Sequence, residues 1–117
     1  MVKAKQQRKR DVRKVDSSNP PPTPMQNVVS VTASGGSQVT VVFNGIVQIM
    51  GSNLPQTWVF GTGNRKITAI VSSTGSSYVF TVDGTVAATQ VYSMPGSDPA
   101  ARTPLGGYVA SSSGVLA

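Results

Sequence analysis

The chain has 117 residues, ten Lys and Arg against four acidic groups, and a formal net charge of +6. That length holds one domain at most, of sandwich or barrel size. Histidine, cysteine and glutamate are absent, which excludes disulfide frameworks, thiolate or imidazole metal sites, and the Ser-His-Asp and Cys-His nucleophile sets.

The first segment is residues 1–25, and it carries most of the charge. Lys3, Lys5, Arg8, Lys9, Arg10, Arg13 and Lys14 face only Asp11 and Asp16, so 7 − 2 = +5 of the net charge lies within residues 1–16. A cationic strip of this density is a candidate contact for an anionic surface, either nucleic acid or the acidic groove of a partner protein. It lacks aromatic residues for base stacking, so any nucleic-acid contact is expected to be independent of sequence. The strip leads into Ser17-Ser18-Asn19-Pro20-Pro21-Pro22-Thr23-Pro24 and not into an apolar run, so no secretory signal is expected. Four prolines in five positions favour an extended polyproline spacer rising about 3.1 Å per residue.

Residues 26–93 show short β-rich runs separated by turn residues, the pattern of an antiparallel all-β domain. The predicted strands are Gln26 to Ala33, Gln38 to Phe43, Ile46 to Met50, Thr57 to Phe60, Lys66 to Ser72, Ser77 to Val82 and Thr85 to Ser93. Asn44-Gly45 and Asp83-Gly84 are each expected to close a tight type I′ hairpin, because both dipeptides tolerate positive φ. Looser turns are expected at Ser34 to Ser37 and at Ser73 to Ser76. Alternation puts Tyr78, Phe80 and Val82 on the core face, and Ile67, Ala69 and Val71 on another. Val39, Val41, Phe43, Ile46, Trp58 and Phe60 complete the expected interior, with Trp58 read as a core anchor and not a binding platform. Apolar runs of five residues are far too short to cross a bilayer, so no membrane segment is expected.

Residues 94–117 read as an irregular segment rich in proline and glycine. Tyr108 to Ala110 is a candidate last strand, and the tail is expected either to supply a strand or to dock on a neighbouring subunit.

The remaining chemistry is sparse. Asp83 fills a turn and Asp98 precedes a proline, so both are read as structural. Gly61-Thr62-Gly63-Asn64-Arg65-Lys66 resembles a phosphate loop in composition, but it leads into a strand pattern instead of a helix, leaving Arg65 and Lys66 as a minor anion contact. No enzyme, no metal and no cofactor is expected.

The body, with its Pro-rich lead-in, Val28 to Val31, Gln38-Val39-Thr40-Val41, a single Trp58 and Tyr78-Val79-Phe80-Thr81-Val82, resembles a small immunoglobulin-like or fibronectin type III-like sandwich of about seven strands. A tight Asn44-Gly45 hairpin departs from that pattern, because the strands it joins belong to opposite sheets. The whole layout of basic arm, spacer, β-body and tail resembles small structural proteins of phage and virus particles, of the capsid-decoration, vertex or fibre-base type. That resemblance implies a non-enzymatic virion component assembled in the host cytoplasm, homo-oligomeric, cementing or decorating a capsid and anchored to its subunits by the arm. Two alternatives stand beside it: a sequence-independent nucleic-acid-binding or packaging protein, and a surface adhesion module recognising its target through loops 51–65.

Overall fold

A computed structural model describes residues 25–117, and the basic residues of the arm lie outside them. Seven strands form: β1 (Val28–Gly35), β2 (Gln38–Phe43), β3 (Val59–Phe60), β4 (Ile67–Ser73), β5 (Ser77–Val82), β6 (Val91–Met94) and β7 (Ser112–Val115). No helix occurs among the described residues. One sheet has the order β1-β2-β5-β4 and the other β3-β6-β7, all neighbours antiparallel. Numbered along the chain, this is the strand order of the seven-stranded immunoglobulin constant-type sandwich.

The two central strands of the larger sheet alternate cleanly. Val39, Val41 and Phe43 of β2 and Tyr78, Phe80 and Val82 of β5 all point inward and are buried, with Val39 opposite Phe80 and Val41 opposite Tyr78. Trp58, fully buried just before β3, lies 6.2 Å from Phe43 and 6.5 Å from Phe80, ring centroid to ring centroid. Truncating an aromatic in such a place costs about 3–5 kcal/mol, so burial of Trp58 is an anchor of the core.

Both tight hairpins expected from the sequence are absent. Neither Asn44-Gly45 nor Asp83-Gly84 takes positive φ, whereas Gly35, Gly36 and Gly75 do, at +130°, +50° and +91°. The hairpins therefore form at the looser turns, β1 to β2 through Gly35-Gly36 and β4 to β5 through Gly75. Asn44 does other work: its Oδ1 accepts the Asn27 amide at 3.0 Å and its own amide donates to Asn27 O at 3.0 Å. The end of the Gln26 side chain lies over Gly45, where an added Cβ would displace it. With that hairpin gone, β2 and β3 fall in opposite sheets, as the immunoglobulin pattern requires.

The expected strand Ile46 to Met50 is extended but joins no sheet. Its main chain is satisfied by three separate partners: Val47 N donates to Gly75 O, Gln48 exchanges bonds with Arg102 at 2.7 and 3.2 Å, and Ile49 N donates to the Tyr78 hydroxyl. The inward set is Val47 and Ile49, while Ile46 is 47% exposed, so the expected interior was out of phase by one residue. In β4 two register shifts, between Ile67 and Ala69 and between Ile70 and Ser72, break the period of two. Ile67 is buried and Ile70 packs against the core, whereas Val71 is 51% exposed. Residues 85–90 of the expected last body strand form a crossing, with Val86 N bonded to Gly36 O, before β6 begins in the second sheet.

The final residues bind the two sheets together. After β7 pairs with β6, Leu116 is buried and Ala117 exchanges main-chain bonds with Val31 and Ala33 of β1, at 3.1 and 3.0 Å.

Tyr78 is the buried group whose hydroxyl both accepts from Ile49 N, at 3.2 Å, and donates to Val47 O, at 2.6 Å. Tyr78→Phe leaves both main-chain groups buried without that partner, and the expected loss is about 1–3 kcal/mol in urea unfolding with an unchanged m-value. A loss below about 0.5 kcal/mol would show that the hydroxyl contributes nothing net.

Candidate functional site

The sandwich has two loop ends of unequal character. At one end the β1–β2 turn, residues 61–66 between β3 and β4, and residues 83–90 between β5 and β6 come together; Gly61 N donates to Val91 O and Val86 N to Gly36 O. At the other end the long connections 44–58 and 95–111 meet beside the β4–β5 turn. In this fold the corresponding loops, between the second and third and the sixth and seventh strands, lie at one end of a rigid scaffold and are where variable domains carry recognition.

A groove opens between these two long connections. It has a volume of about 350 Å³ and is lined by Gln48, Met50, Asn53, Pro99, Ala100 and Arg102. Its geometry follows from the strand-like alternation of 47–50: Val47 and Ile49 face the core, so Gln48 and Met50 face out. Antiparallel bridges then align Gln48 with Arg102 and Arg102 with Tyr108, which sets three side chains in one row. Met50 is 68% exposed, and Leu105 in the same connection as Arg102 is 75% exposed.

Arg102 is held from two sides. Its Nε donates to Gly107 O at 3.2 Å, an Nη2 hydrogen goes to Gly106 O, and the guanidinium carbon lies 4.4 Å from the centroid of the Tyr108 ring. Stacking and main-chain bonds together fix the planar cation while leaving it half-buried at the groove wall. Asp98, the nearest acidic residue in sequence, turns inward: it is 6% exposed, accepts from Thr57 Oγ1 and from the Thr57 amide at 3.3 Å, and caps its own turn by accepting from Ala100 N at 2.9 Å. Its role is to tie the start of β3 to the 95–111 connection, a task shared by Trp58 Nε1, which donates to Pro95 O at 3.3 Å.

Arg65 and Lys66 lie at the opposite end. Lys66 Nζ donates to Gln56 O at 2.9 Å, and its amide donates to Asp83 Oδ1 at 3.2 Å. Arg65 lies close over Gly63 and Gly84, where an added Cβ would meet its guanidinium, and its Nε is buried without a hydrogen-bond partner. Asp83 therefore receives the Lys66 amide and extends the pairing of β4 with β5 by one step. Lys3, Lys5, Arg8, Lys9, Arg10, Arg13 and Lys14 lie outside the described residues.

Apart from Asn53, which falls within the loops 51–65 expected of an adhesion module, the groove residues were not singled out in the sequence. Arg102 entered only as a charge, and Met50 as the end of a strand. The usable signal was the inward pair Val47 and Ile49, whose β-branched alternation fixes the outward pair.

No family model matches this chain, and no curated protein matches it. Its fold is shared with solved structures of a bacterial S-layer protein, SbsC. The N-terminal part of that protein aligns over 80% of this chain and 23% of its own, at 17% identity and a TM-score of 0.59. The structure of its domains 1–6 and the crystal structure of rSbsC(31-844) align over the same 80% of this chain and 13% of their own, also at 17% identity and a TM-score of 0.59. The chain thus spans less than a quarter of each of these neighbours. These matches correct the expectation of a virion protein: the likeness to capsid-decoration, vertex and fibre-base proteins, the capsid-bound role and the virion location all give way to neighbours that are pieces of a bacterial surface-layer protein. The cause of the error is plain. A basic arm, a proline spacer and a Ser/Thr/Gly-rich body are compositional traits, and composition does not separate one class of extended assembly from another.

Arg65→Met keeps the stem that covers Gly63 and Gly84 while removing the partnerless buried Nε. The expected result is stability unchanged or raised by up to about 1 kcal/mol in urea unfolding; a loss above about 2 kcal/mol would mean that the guanidinium has a strong partner.

Proposed function

We propose that the described body is a non-enzymatic surface adhesion module that engages its target through the loop end built from residues 44–58 and 95–111. The observation that carries this reading is the groove at that end, where a fixed cation, two amides and an exposed methionine converge on a scaffold of immunoglobulin strand order. Support comes also from the fold neighbours, whose titles describe a bacterial S-layer protein. The two aspartates among the described residues, Asp83 and Asp98, both serve the fold. Of the loops 51–65 expected to recognise the target, Asn53 lies in the groove, while 61–65 belong to the far end.

The direct test uses beads coated with the full chain and isolated bacterial cell envelopes, at salt near 1 M, where the Debye length of about 3 Å suppresses contacts of the basic arm. Replacing residues 104–107 with a Gly-Ser linker is expected to lower envelope retention about fivefold or more, and replacing 62–64 to leave it unchanged. Equal retention for the two replacements would overturn the assignment of the working end.

The seven cations of residues 1–16 favour one additional reading, that of a sequence-independent contact with a polyanion. For single-stranded DNA, neutral replacement of Lys3, Lys5, Arg8, Lys9 and Arg10 should flatten the slope of log affinity against log salt by about 3–4. A flat slope in the intact protein would exclude the contact.

A further inference from the structure

We infer that the groove receives an acidic segment of a partner protein, with an Asp or Glu carboxylate seated on Arg102 and flanking apolar side chains on Met50 and Leu105. This names the ligand class for the adhesion reading above and rests on it.

The argument starts from what Arg102 does not use. A guanidinium has five N–H donors, and the described bonds take two of them, both to main-chain carbonyls at Gly106 and Gly107. The remaining three belong to a planar cation already oriented by its ring contact with Tyr108. Of the two aspartates among the described residues, Asp98 is turned to Thr57 and Ala100, and Asp83 to Lys66 at the far end. Neither neutralises Arg102. A fixed, half-buried arginine beside Pro99 and Ala100 is preorganised for the paired N–H···O geometry of a carboxylate, and the freezing of its side chain is complete before any ligand arrives.

The surroundings of the cation select the source of that carboxylate. Sugar rings commonly stack on an aromatic face, and the groove offers none free in its lining: Arg102 lies over the Tyr108 ring and Trp58 is fully buried. A polynucleotide would need a row of cations, and the groove offers one. Two exposed apolar side chains lie on the segments that form this end: Met50 in the groove lining, 68% exposed, and Leu105, 75% exposed in the loop that Arg102 bonds. Exposed methionine is an adaptable contact for apolar side chains, and arginine is among the residues that dominate protein interfaces. The side-chain amides of Gln48 and Asn53, on the same connection as Met50, suit the main chain of an extended peptide. One charged pair and two apolar contacts correspond to a dissociation constant on the order of 0.1–1 mM, a strength that becomes firm when many copies act together.

The test is residue-resolved NMR on the full isotopically labelled chain, so that contacts of the basic arm are read separately. The probes are a capped Gly-Leu-Asp-Leu-Gly peptide, its Gly-Leu-Asn-Leu-Gly counterpart, and glucuronic acid. With the Asp peptide the Arg102 Nε–H signal and the Gly106 and Gly107 amides are expected to shift, with binding about tenfold weaker for the Asn peptide. Arg102→Lys is expected to weaken binding about tenfold, since a point charge does not reproduce the fork. Because that change also loosens loop 103–107, Met50→Ala serves as the second variant, leaving the loop bonds intact and weakening binding about threefold. The inference is overturned if no Arg102 signal moves at about 10 mM peptide, if the Asp and Asn peptides bind alike, if Met50→Ala has no effect, or if glucuronic acid binds as tightly as the Asp peptide. Should envelope retention still depend on residues 104–107 in that case, the adhesion reading stands and only its ligand class falls.

Discussion

The hydroxyl of Tyr78 is the constraint on which the loop end built from residues 44–58 and 95–111 depends. It lies at the centre of the core, with the Tyr78 ring 5.5 Å from Phe80 and 6.1 Å from Phe43, yet it carries a donor and an acceptor that must be satisfied where no water reaches. The chain satisfies them by drawing Val47 O and Ile49 N onto one oxygen. Two residues of the same short segment are thereby fixed with their side chains inward. The residues between and beyond them, Gln48 and Met50, must then face out. The groove wall is a consequence of a hydrogen bond made in the core.

The same economy explains how the sandwich closes without a disulfide. In immunoglobulin domains a cystine links the two sheets beside the buried tryptophan. Here that space is filled by aromatic packing, with Trp58 between Phe43 and Phe80 and its Nε1 bonded to Pro95 O. Two further ties lie at the margins of the sheets, one of them between the sheets. Ala117 ties the sheets by pairing with β1 after β7 has paired with β6, while Asp98 bonds Thr57 and so ties the 95–111 connection to the entry of β3 within the smaller sheet. Each is a polar contact at the rim of an apolar centre, so the long loops start and end on fixed points even though most of their length is irregular.

How much of this was legible in the sequence depended on whether local chemistry or tertiary demand decided the outcome. β2 and β5 were read to the residue because Gln38 to Phe43 and Ser77 to Val82 alternate without interruption. The hairpins were misplaced because Asn-Gly and Asp-Gly permit positive φ but do not enforce it. Asn44 gains more by bonding Asn27, and Asp83 by accepting the Lys66 amide, than either gains by turning the chain. β4 defeated a period-two reading because its bulges reset the faces, and a bulge leaves no mark in Ile67-Thr68-Ala69-Ile70-Val71. The groove was invisible for a different reason: Gln48 and Arg102 lie far apart in sequence, and only a bridge between two irregular connections brings them side by side.

On the adhesion reading proposed above, that bridge also explains how a body so poor in charge can be selective. Arg102 is one of three cations in the body, and the other two, Arg65 and Lys66, are absorbed into the far end by Gly63, Gly84 and Gln56. A lone charge on a mobile stem is worth little in water, because solvent screens it and its side chain must be ordered anew at each encounter. Fixing the guanidinium by Gly106, Gly107 and Tyr108 removes the second cost, and the apolar walls of Pro99 and Met50 reduce the first. Selectivity then follows from position and not from charge density. The same body with Arg102 free in solvent would keep its net charge and would lose the cation oriented at this groove.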